Sequence, residues 1–83
     1  MYFLAYHPSV KKQIKFLHPV DRDKIKNALE KLAKKFPSPE LNIKKLVNNQ
    51  RSFRLRVGNL RVIFEIEEKK IYVWKVGYRG QVY

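Results

Sequence analysis

The spacing of the apolar residues changes near residue 50, and this change does most to limit the folds that the chain can adopt. Before that point apolar residues recur at helical spacing, as Val10, Ile14 and Leu17 do, with lysines between them. From position 51 onward apolar and polar residues alternate, as expected of strands that bury one face. The first half of the chain therefore predicts helices, and the second half predicts an antiparallel meander.

Prolines and an aromatic-rich start divide these regions into elements. Pro8 opens a first helix, a second helix follows Pro19 or Asp21, and Pro37 ends the second. The expected order is β-α-α-β-β-β, an α+β fold with a helical hairpin packed on one face of an antiparallel four-stranded sheet. The predicted bounds are 2–6, 51–57, 60–67 and 70–77 for strands, 8–17 and 20–36 for helices, and 37–50 for a loop. At this length we expect residues 1–83 to form a single domain.

Two-residue turns set the expected register of the meander. Turns at 58–59 and 68–69 place Arg56 opposite Arg61 and Tyr72 opposite Glu65. One sheet face is then apolar and faces the helices. The other face is open and carries Arg54, Arg56, Arg61, Ile63, Glu65, Tyr72, Trp74 and Val76.

The charge of the chain predicts a polyanionic partner. The net charge is +12, from 19 Lys+Arg and 7 Asp+Glu, which favours nucleic acid or a strongly acidic protein over a merely solvated surface. Five of the six arginines lie at or after position 51, and arginine binds phosphate bidentately. We therefore interpret the open face as an anion site with base-stacking surfaces for single-stranded RNA. The alternative is that its arginines splay into solvent or pair with Glu65.

Several classes of site are excluded by composition. The chain has no cysteine, so it has neither disulfides nor thiolate zinc sites. His7 and His18 stand at predicted helix boundaries, far from the open face, and are expected to be caps or surface groups rather than catalysts or metal ligands. We expect no metal and no cofactor. The chain lacks a signal peptide and an apolar run of ~20 residues, so a cytoplasmic protein without a membrane segment is expected.

Two sequence segments resemble the RelE/ParE superfamily of toxins from toxin–antitoxin systems. They are the hairpin FRLRVGNLRVIFEI, residues 53–66, with its R-x-G-x-x-R pattern, and the terminal VGYRGQVY, residues 76–83. The resemblance implies that RelE-type members cleave mRNA in the ribosomal A site, with basic residues and without metal. It matches Arg54 and Arg56 to two basic strand positions, Arg61 to the arginine after the turn, Arg79 to the arginine after the last strand, and Tyr83 to the terminal tyrosine.

The resemblance implies a ribosome-dependent endoribonuclease with Arg56, Arg61, Arg79 and Tyr83 as catalytic residues. Arginine at both strand positions, where the best-known RelE-like members have lysine, does not deprotonate and cannot act as a general base. The expected partners are an acidic cognate antitoxin, the ribosome and mRNA in its A site. A ParE-like inhibitor of gyrase and a non-catalytic RNA- or ribosome-binding module remain as alternatives. The predicted RNA-binding residues are Lys44, Lys45, Arg51, Arg54 and Trp74.

Overall fold

The computed structural model describes residues 1–46 and 51–80, and these residues form an α+β fold in which two helices cover one face of a mixed sheet. Within them the sheet has five strands in the order β1-β5-β4-β3-β2. The predicted α+β class with two helices is confirmed. The elements are β1 (Phe3–Tyr6), α1 (Pro8–Lys15), α2 (Pro19–Lys34), β2 (Asn42–Lys45), β3 (Ser52–Val57), β4 (Leu60–Glu67) and β5 (Lys70–Tyr78).

The sheet differs in two ways from the antiparallel four-stranded prediction. β1 runs parallel to β5, with Phe3 opposite Lys70. Its direction has no local signal, because two helices rather than a hairpin connect it to the rest of the sheet. β2 lies in the segment predicted as a loop and pairs antiparallel with β3, with Ile43 opposite Leu55. It is a short, lysine-bearing edge strand, and charge at an edge discourages pairing with other chains.

α1 begins at Pro8 as predicted, and α2 begins at Pro19, one residue before its predicted start. Pro8 occupies the first turn of α1, where a missing N–H costs nothing, and the His7 side chain accepts a hydrogen bond from the Ser9 N–H at 3.2 Å. The predicted capping role of His7 is therefore confirmed. Each helix ends two residues before the predicted position. No helix in residues 1–46 or 51–80 is long and apolar enough to cross a membrane.

The core lies between the helices and the sheet, and it uses the side chains that alternation assigned to the inner face. Phe53, Val57 and Ile66 are partly buried against it. Phe36 lies beyond the end of α2, where its ring centroid is 5.2 Å from that of Phe53. The buried apolar residues are Val10, Leu17, Ile25, Ala28, Leu29, Leu32, Leu55, Leu60, Val62, Phe64, Ile71, Val73 and Val76.

A β-bulge in β5 shifts the predicted register. Phe64 pairs with Val73, whereas the preceding Ile63 pairs with Lys75, so Trp74 is an extra residue. Such a bulge places two residues opposite one and redirects side chains locally. Trp74 and Lys75 are consequently both exposed.

The position of Val76 follows from this bulge and corrects the prediction. Alternation placed Val76 on the open face opposite Arg61, but Val76 pairs with Val62 and is 4% exposed in the core. Gly77 takes the place opposite Arg61. The prediction is wrong because a strict period of two does not anticipate an inserted residue.

A side chain from α1 closes the part of the β5 edge that extends past β1. The pairing of β1 with β5 ends at Tyr6 and Val73. Beyond it the N–H of Val76 donates to Oε1 of Gln13 at 2.8 Å. The Gln13 amide in turn reaches Ser9 Oγ at 3.5 Å. In the C-terminal half of β5, the Gln13 side chain therefore accepts the backbone hydrogen bond that a neighbouring strand would otherwise accept.

Replacing Gln13 by alanine is expected to lower the free energy of unfolding by about 1–3 kcal/mol, because the part-buried Val76 N–H loses its acceptor. Gln13→Glu keeps an acceptor and should retain most of this stability. Lys12→Ala, at an exposed position of the same helix, should change stability by less than about 0.5 kcal/mol. Urea denaturation measures all three variants. Equal effects of Gln13→Ala and Lys12→Ala would contradict this role.

Candidate nucleic-acid interface

Five cations of the open face lie in two neighbouring rows across the sheet. The first row carries Arg56 and Arg61 directly opposite each other, as predicted. Strands in a sheet lie about 4.8 Å apart, so like charges in such a row are close and repel. The second row consists of Lys44, Arg54, Ile63 and Lys75 on β2, β3, β4 and β5.

Arg61 is buried, unlike the cations around it. Its exposed fraction is 6%, and its Nη1 donates to the carbonyl of Leu60 at 3.3 Å. Arg56 opposite is exposed, and Arg54 is half-buried. A guanidinium in this position is held by its surroundings, and its field is screened less by water and salt than that of a surface charge. The alternative that the arginines splay into solvent does not hold for Arg61.

Arg79 lies at the same end of the sheet as Arg56 and Arg61. It directly follows β5, its side chain is exposed, and its N–H donates to the carbonyl of Asn59 in the β3–β4 turn at 2.7 Å. This bond fixes the chain after β5 against the turn that separates the two opposed arginines. The structure therefore brings three of the four predicted catalytic residues to one end of the sheet, and Tyr83 lies outside the described residues.

Tyr78 anchors the chain immediately before Arg79. Its hydroxyl donates to Oδ2 of Asp21 at 2.7 Å and accepts from the His18 N–H at 3.1 Å, which ties the end of β5 to the start of α2. The His18 N–H lowers the pKa of Tyr78, but desolvation and the Asp21 carboxylate outweigh it. The pKa of Tyr78 therefore lies above its ordinary value, and the hydroxyl stays protonated as the donor.

The remaining predicted RNA-binding cations are distributed unevenly. Lys44 is exposed opposite Arg54 and extends the cationic rows. Lys45 is exposed but pairs with Phe53, so it belongs to the other side of the sheet. Arg51 precedes β3 at the opposite end from Arg56 and forms a 3.5 Å ion pair with Glu67. Only Lys44 of these three directly joins the site.

Aromatic rings continue the open face beside the cations. The ring centroid of Trp74, which is 38% exposed, lies 4.7 Å from that of Tyr72 and 5.4 Å from that of His7. The prediction that His7 lies far from this face is wrong. The backbone N–H of His7 donates to the Val73 carbonyl at 2.8 Å, and this hydrogen bond brings the start of α1 next to β5. The alternation of apolar and polar residues predicts Tyr72 on the open face but gives it no function. No feature of the sequence predicts that His7 lies beside Trp74.

The described part of the chain contains no group of three or more histidine and acidic side chains that could hold a metal ion. The charged groups of the open face are mainly cations. They suit an anionic ligand with planar groups, and the aromatic rings beside them offer stacking surfaces.

Comparison with solved structures identifies the fold as that of RelE-like toxins. A chain of the archaeal RelE–RelB complex from Pyrococcus horikoshii OT3 is 23% identical, with 98% of both chains covered and a TM-score of 0.82. The isolated RelE toxin of E. coli is 20% identical, with 98% of this chain and 87% of that chain covered and a TM-score of 0.79. YafQ from E. coli strain BL21(DE3) is 17% identical, with coverages of 94% and 93% and a TM-score of 0.76.

The sequence assigns the family. Residues 4–83 match the profile of the family described as the ParE toxin of type II toxin–antitoxin system, parDE. The chain therefore belongs to this family and is a toxin of the RelE/ParE superfamily. A comparison with curated protein sequences gave no match.

The Tyr78 anchor predicts a defined dependence of stability on pH. Because the folded-state pKa is raised, the contribution of Tyr78 is complete below the ordinary tyrosine pKa of about 10 and is lost as the pH rises through the folded value. The stability advantage of the native protein over Tyr78→Phe should therefore shrink above about pH 10. Phenolate absorbance should show a late-titrating group that Tyr78→Phe removes. In Asp21→Asn this group should titrate earlier, and an unchanged titration there would contradict the anchor.

Proposed function

We propose that this toxin is a ribosome-dependent endoribonuclease that cleaves mRNA in the ribosomal A site, and that it acts in the cytoplasm. The observation that carries the proposal is the group of Arg56, Arg61 and Arg79 at one end of the sheet. Three guanidinium groups at one end of the sheet concentrate positive charge there. Guanidinium groups bind phosphate bidentately, so this group of arginines favours a phosphate ligand.

The proposed reaction is an internal transfer at one phosphate. The 2′-hydroxyl oxygen attacks phosphorus and gives up its proton, the bond from phosphorus to the 5′-oxygen breaks, and that oxygen takes up a proton. The transition state carries extra negative charge on the phosphoryl oxygens, which preorganised guanidinium groups stabilise. The products are a 2′,3′-cyclic phosphate, or the 3′-phosphate derived from it, and a 5′-hydroxyl end.

Each arginine has a distinct place in this scheme. Arg61 is buried and held, so its charge is in position before the substrate arrives. Arg56 and Arg79 are exposed and bind the scissile phosphate, with Arg79 also assisting the leaving oxygen. Arg54 positions the flanking backbone. Tyr83 is assigned, by the family resemblance alone, to stacking a base or orienting the 2′-hydroxyl.

The deprotonation step explains the requirement for the ribosome. Arginine cannot accept the proton of the 2′-hydroxyl, because it stays protonated in proteins. We assign that task to the ribosome or to the RNA itself. Cleavage of free RNA is then slow, and cleavage in a translating complex is fast. Lys44 and Trp74 bind the remainder of the RNA in this proposal. Lys45 and Arg51 are left out of the RNA-binding set, because Lys45 lies on the other side of the sheet and Arg51 at its opposite end.

Inhibition of DNA gyrase is the second candidate, and the family match is what favours it. A gyrase inhibitor acts by binding a protein, and its arginines need no defined geometry around a phosphate. A plain RNA- or ribosome-binding module is the third. Primer extension on mRNA in a translation reaction separates the nuclease from both, and a DNA supercoiling assay identifies the gyrase inhibitor.

We also infer that an acidic antitoxin is the cognate partner. Relatives of the same fold were solved as complexes of RelE with RelB from P. horikoshii, Methanococcus jannaschii and E. coli. A net charge of +12 favours an acidic partner for this chain, and an antitoxin that covers the open face masks its arginines. An extended or helical acidic segment suits this surface.

Association with this antitoxin should be fast and should slow as salt concentration rises. Arg56→Gln should lower the association rate more than Arg22→Gln, which removes the same charge from an exposed position on α2. Copurification from the native operon identifies the partner, and stopped-flow mixing at several salt concentrations measures the rate. If no partner copurifies and acidic peptides bind independently of salt, the inference fails.

Arg61→Lys should lose most of the cleavage activity although it keeps the charge, because lysine lacks the planar fork. Loss of one such donor typically costs about 2.7–4 kcal/mol, or 10²–10³-fold in rate. Arg22→Lys and His18→Ala should be nearly silent. The measurement is primer extension in a reconstituted translation reaction.

Arg79→Gln provides a second variant for the same test. Arg79 is exposed, so its replacement does not disturb the core. Arg61 is buried, so thermal unfolding is used to check that its variants remain folded. Arg79→Gln should also reduce cleavage strongly. Full activity of the double variant Arg61→Ala, Arg79→Ala, or a strict requirement for His18, would refute the mechanism.

A further inference from the structure

A concavity of about 240 Å³ lies on the open face beside the cationic rows. It is lined by Glu65, Glu67, Lys70, Tyr72 and Trp74. Pockets for drug-sized ligands measure about 300–1,000 Å³, so this one suits a single small ring system. The lining combines the aromatic rings of Tyr72 and Trp74 with carboxylates that accept hydrogen bonds and the Lys70 ammonium group, which donates them.

The charge on the open face reverses along β4, and this reversal orients any nucleotide bound there. The side chains pointing to this face are, in order, Arg61, Ile63, Glu65 and Glu67. Successive members are about 6.7 Å apart along the strand. A phosphate is attracted to the arginine end and repelled from the glutamate end. A nucleotide with its phosphate near Arg61 therefore has its base directed towards the concavity.

The aromatic rings in the concavity are held in place by their neighbours. Trp74 is the extra residue of the bulge, with Tyr72 on one side and His7 on another, and the His7 ring is fixed by Ser9 Oγ at 2.7 Å. The Lys70 ammonium lies 5.8 Å from the Tyr72 ring centroid. Stacking on such rings is worth about 1–3 kcal/mol per base and does not distinguish one base from another.

Discrimination between bases comes from Glu65 and Lys70. Glu65 is half-buried and lines the concavity, where its carboxylate can accept hydrogen bonds from a bound base. Guanine presents two adjacent N–H donors beside its O6 acceptor, which match a carboxylate next to an ammonium group. Adenine and cytosine present one amino group beside an acceptor nitrogen that a carboxylate repels. Uracil presents one N–H between two carbonyl oxygens.

We propose that Glu65, Lys70, Tyr72 and Trp74 form a pocket that selects guanine next to the scissile phosphate. The aromatic rings hold the base, Glu65 accepts from its two N–H donors, and Lys70 donates to O6. The inference rests on the proposed RNA-cleaving function, but it concerns which base is bound and not how the phosphate reacts.

The test is equilibrium binding of 2′-O-methyl trinucleotides that differ only in the central base, since these cannot be cleaved. Trp74 is the only tryptophan of the chain, so quenching of its fluorescence reports stacking directly. Guanine should bind about 5- to 150-fold more tightly than uracil, the range of one bidentate contact to a base edge. Hypoxanthine, which lacks the amino group, should fall between them, and an abasic trinucleotide should not quench.

Glu65→Gln and Glu68→Gln form a matched pair, because each removes one negative charge from the same region but Glu68 does not line this concavity. Both should raise the general affinity for RNA equally. Only Glu65→Gln should reduce the preference for guanine to under about 3-fold, since it loses the bidentate acceptor. Equal guanine preference in the two variants, or no quenching by any base, would overturn the pocket.

A parallel cleavage assay separates this inference from the proposed function. Guanine preference without cleavage in a translation reaction would refute the nuclease and leave the pocket in place. Cleavage without guanine preference in binding would refute the pocket and leave the nuclease in place.

Discussion

Leu55, Val62 and Phe64 are fully buried beneath the two helices, and the burial of their side chains holds the rest of the sheet in its arrangement. Successive residues of a strand point to opposite faces, so the residues between them must face outward. Burying each of these side chains is worth about 1.5–3 kcal/mol. Opposing Arg56 to Arg61 costs up to about 1 kcal/mol. The inner face therefore decides the register, and the repulsion on the outer face follows from it.

The bulge at Trp74 allows β5 to contribute apolar side chains to the core and exposed side chains to the open face. Without an inserted residue, a strand that buries Val73 would direct Val76 outward. With it, Val73 and Val76 both enter the core while Trp74 and Lys75 both reach the open face. One residue therefore adds an aromatic ring to the cationic face without removing an apolar side chain from the core.

The parts of the structure that the sequence predicted are those set by short-range rules. A two-residue turn and alternation were enough to place Arg56 opposite Arg61, because both act within one hairpin. The parallel direction of β1, the strand β2 and the approach of His7 to Trp74 depend on contacts between distant segments, and no local pattern encodes them. The burial of Arg61 was missed for the same reason.

The parallel pairing of β1 with β5 also bears on how the chain folds during its own synthesis. β1 ends at Tyr6, but the strand beside it runs from Lys70 to Tyr78, and the helices are made in between. β1 therefore has no partner strand until residues 70–73 have been synthesised. Chains fold from the N-terminus as they emerge, and pairings between distant segments form slowly. Completion of the open face therefore depends on β5, because Tyr72, Trp74 and Lys75 reach that face only once β5 has joined the sheet.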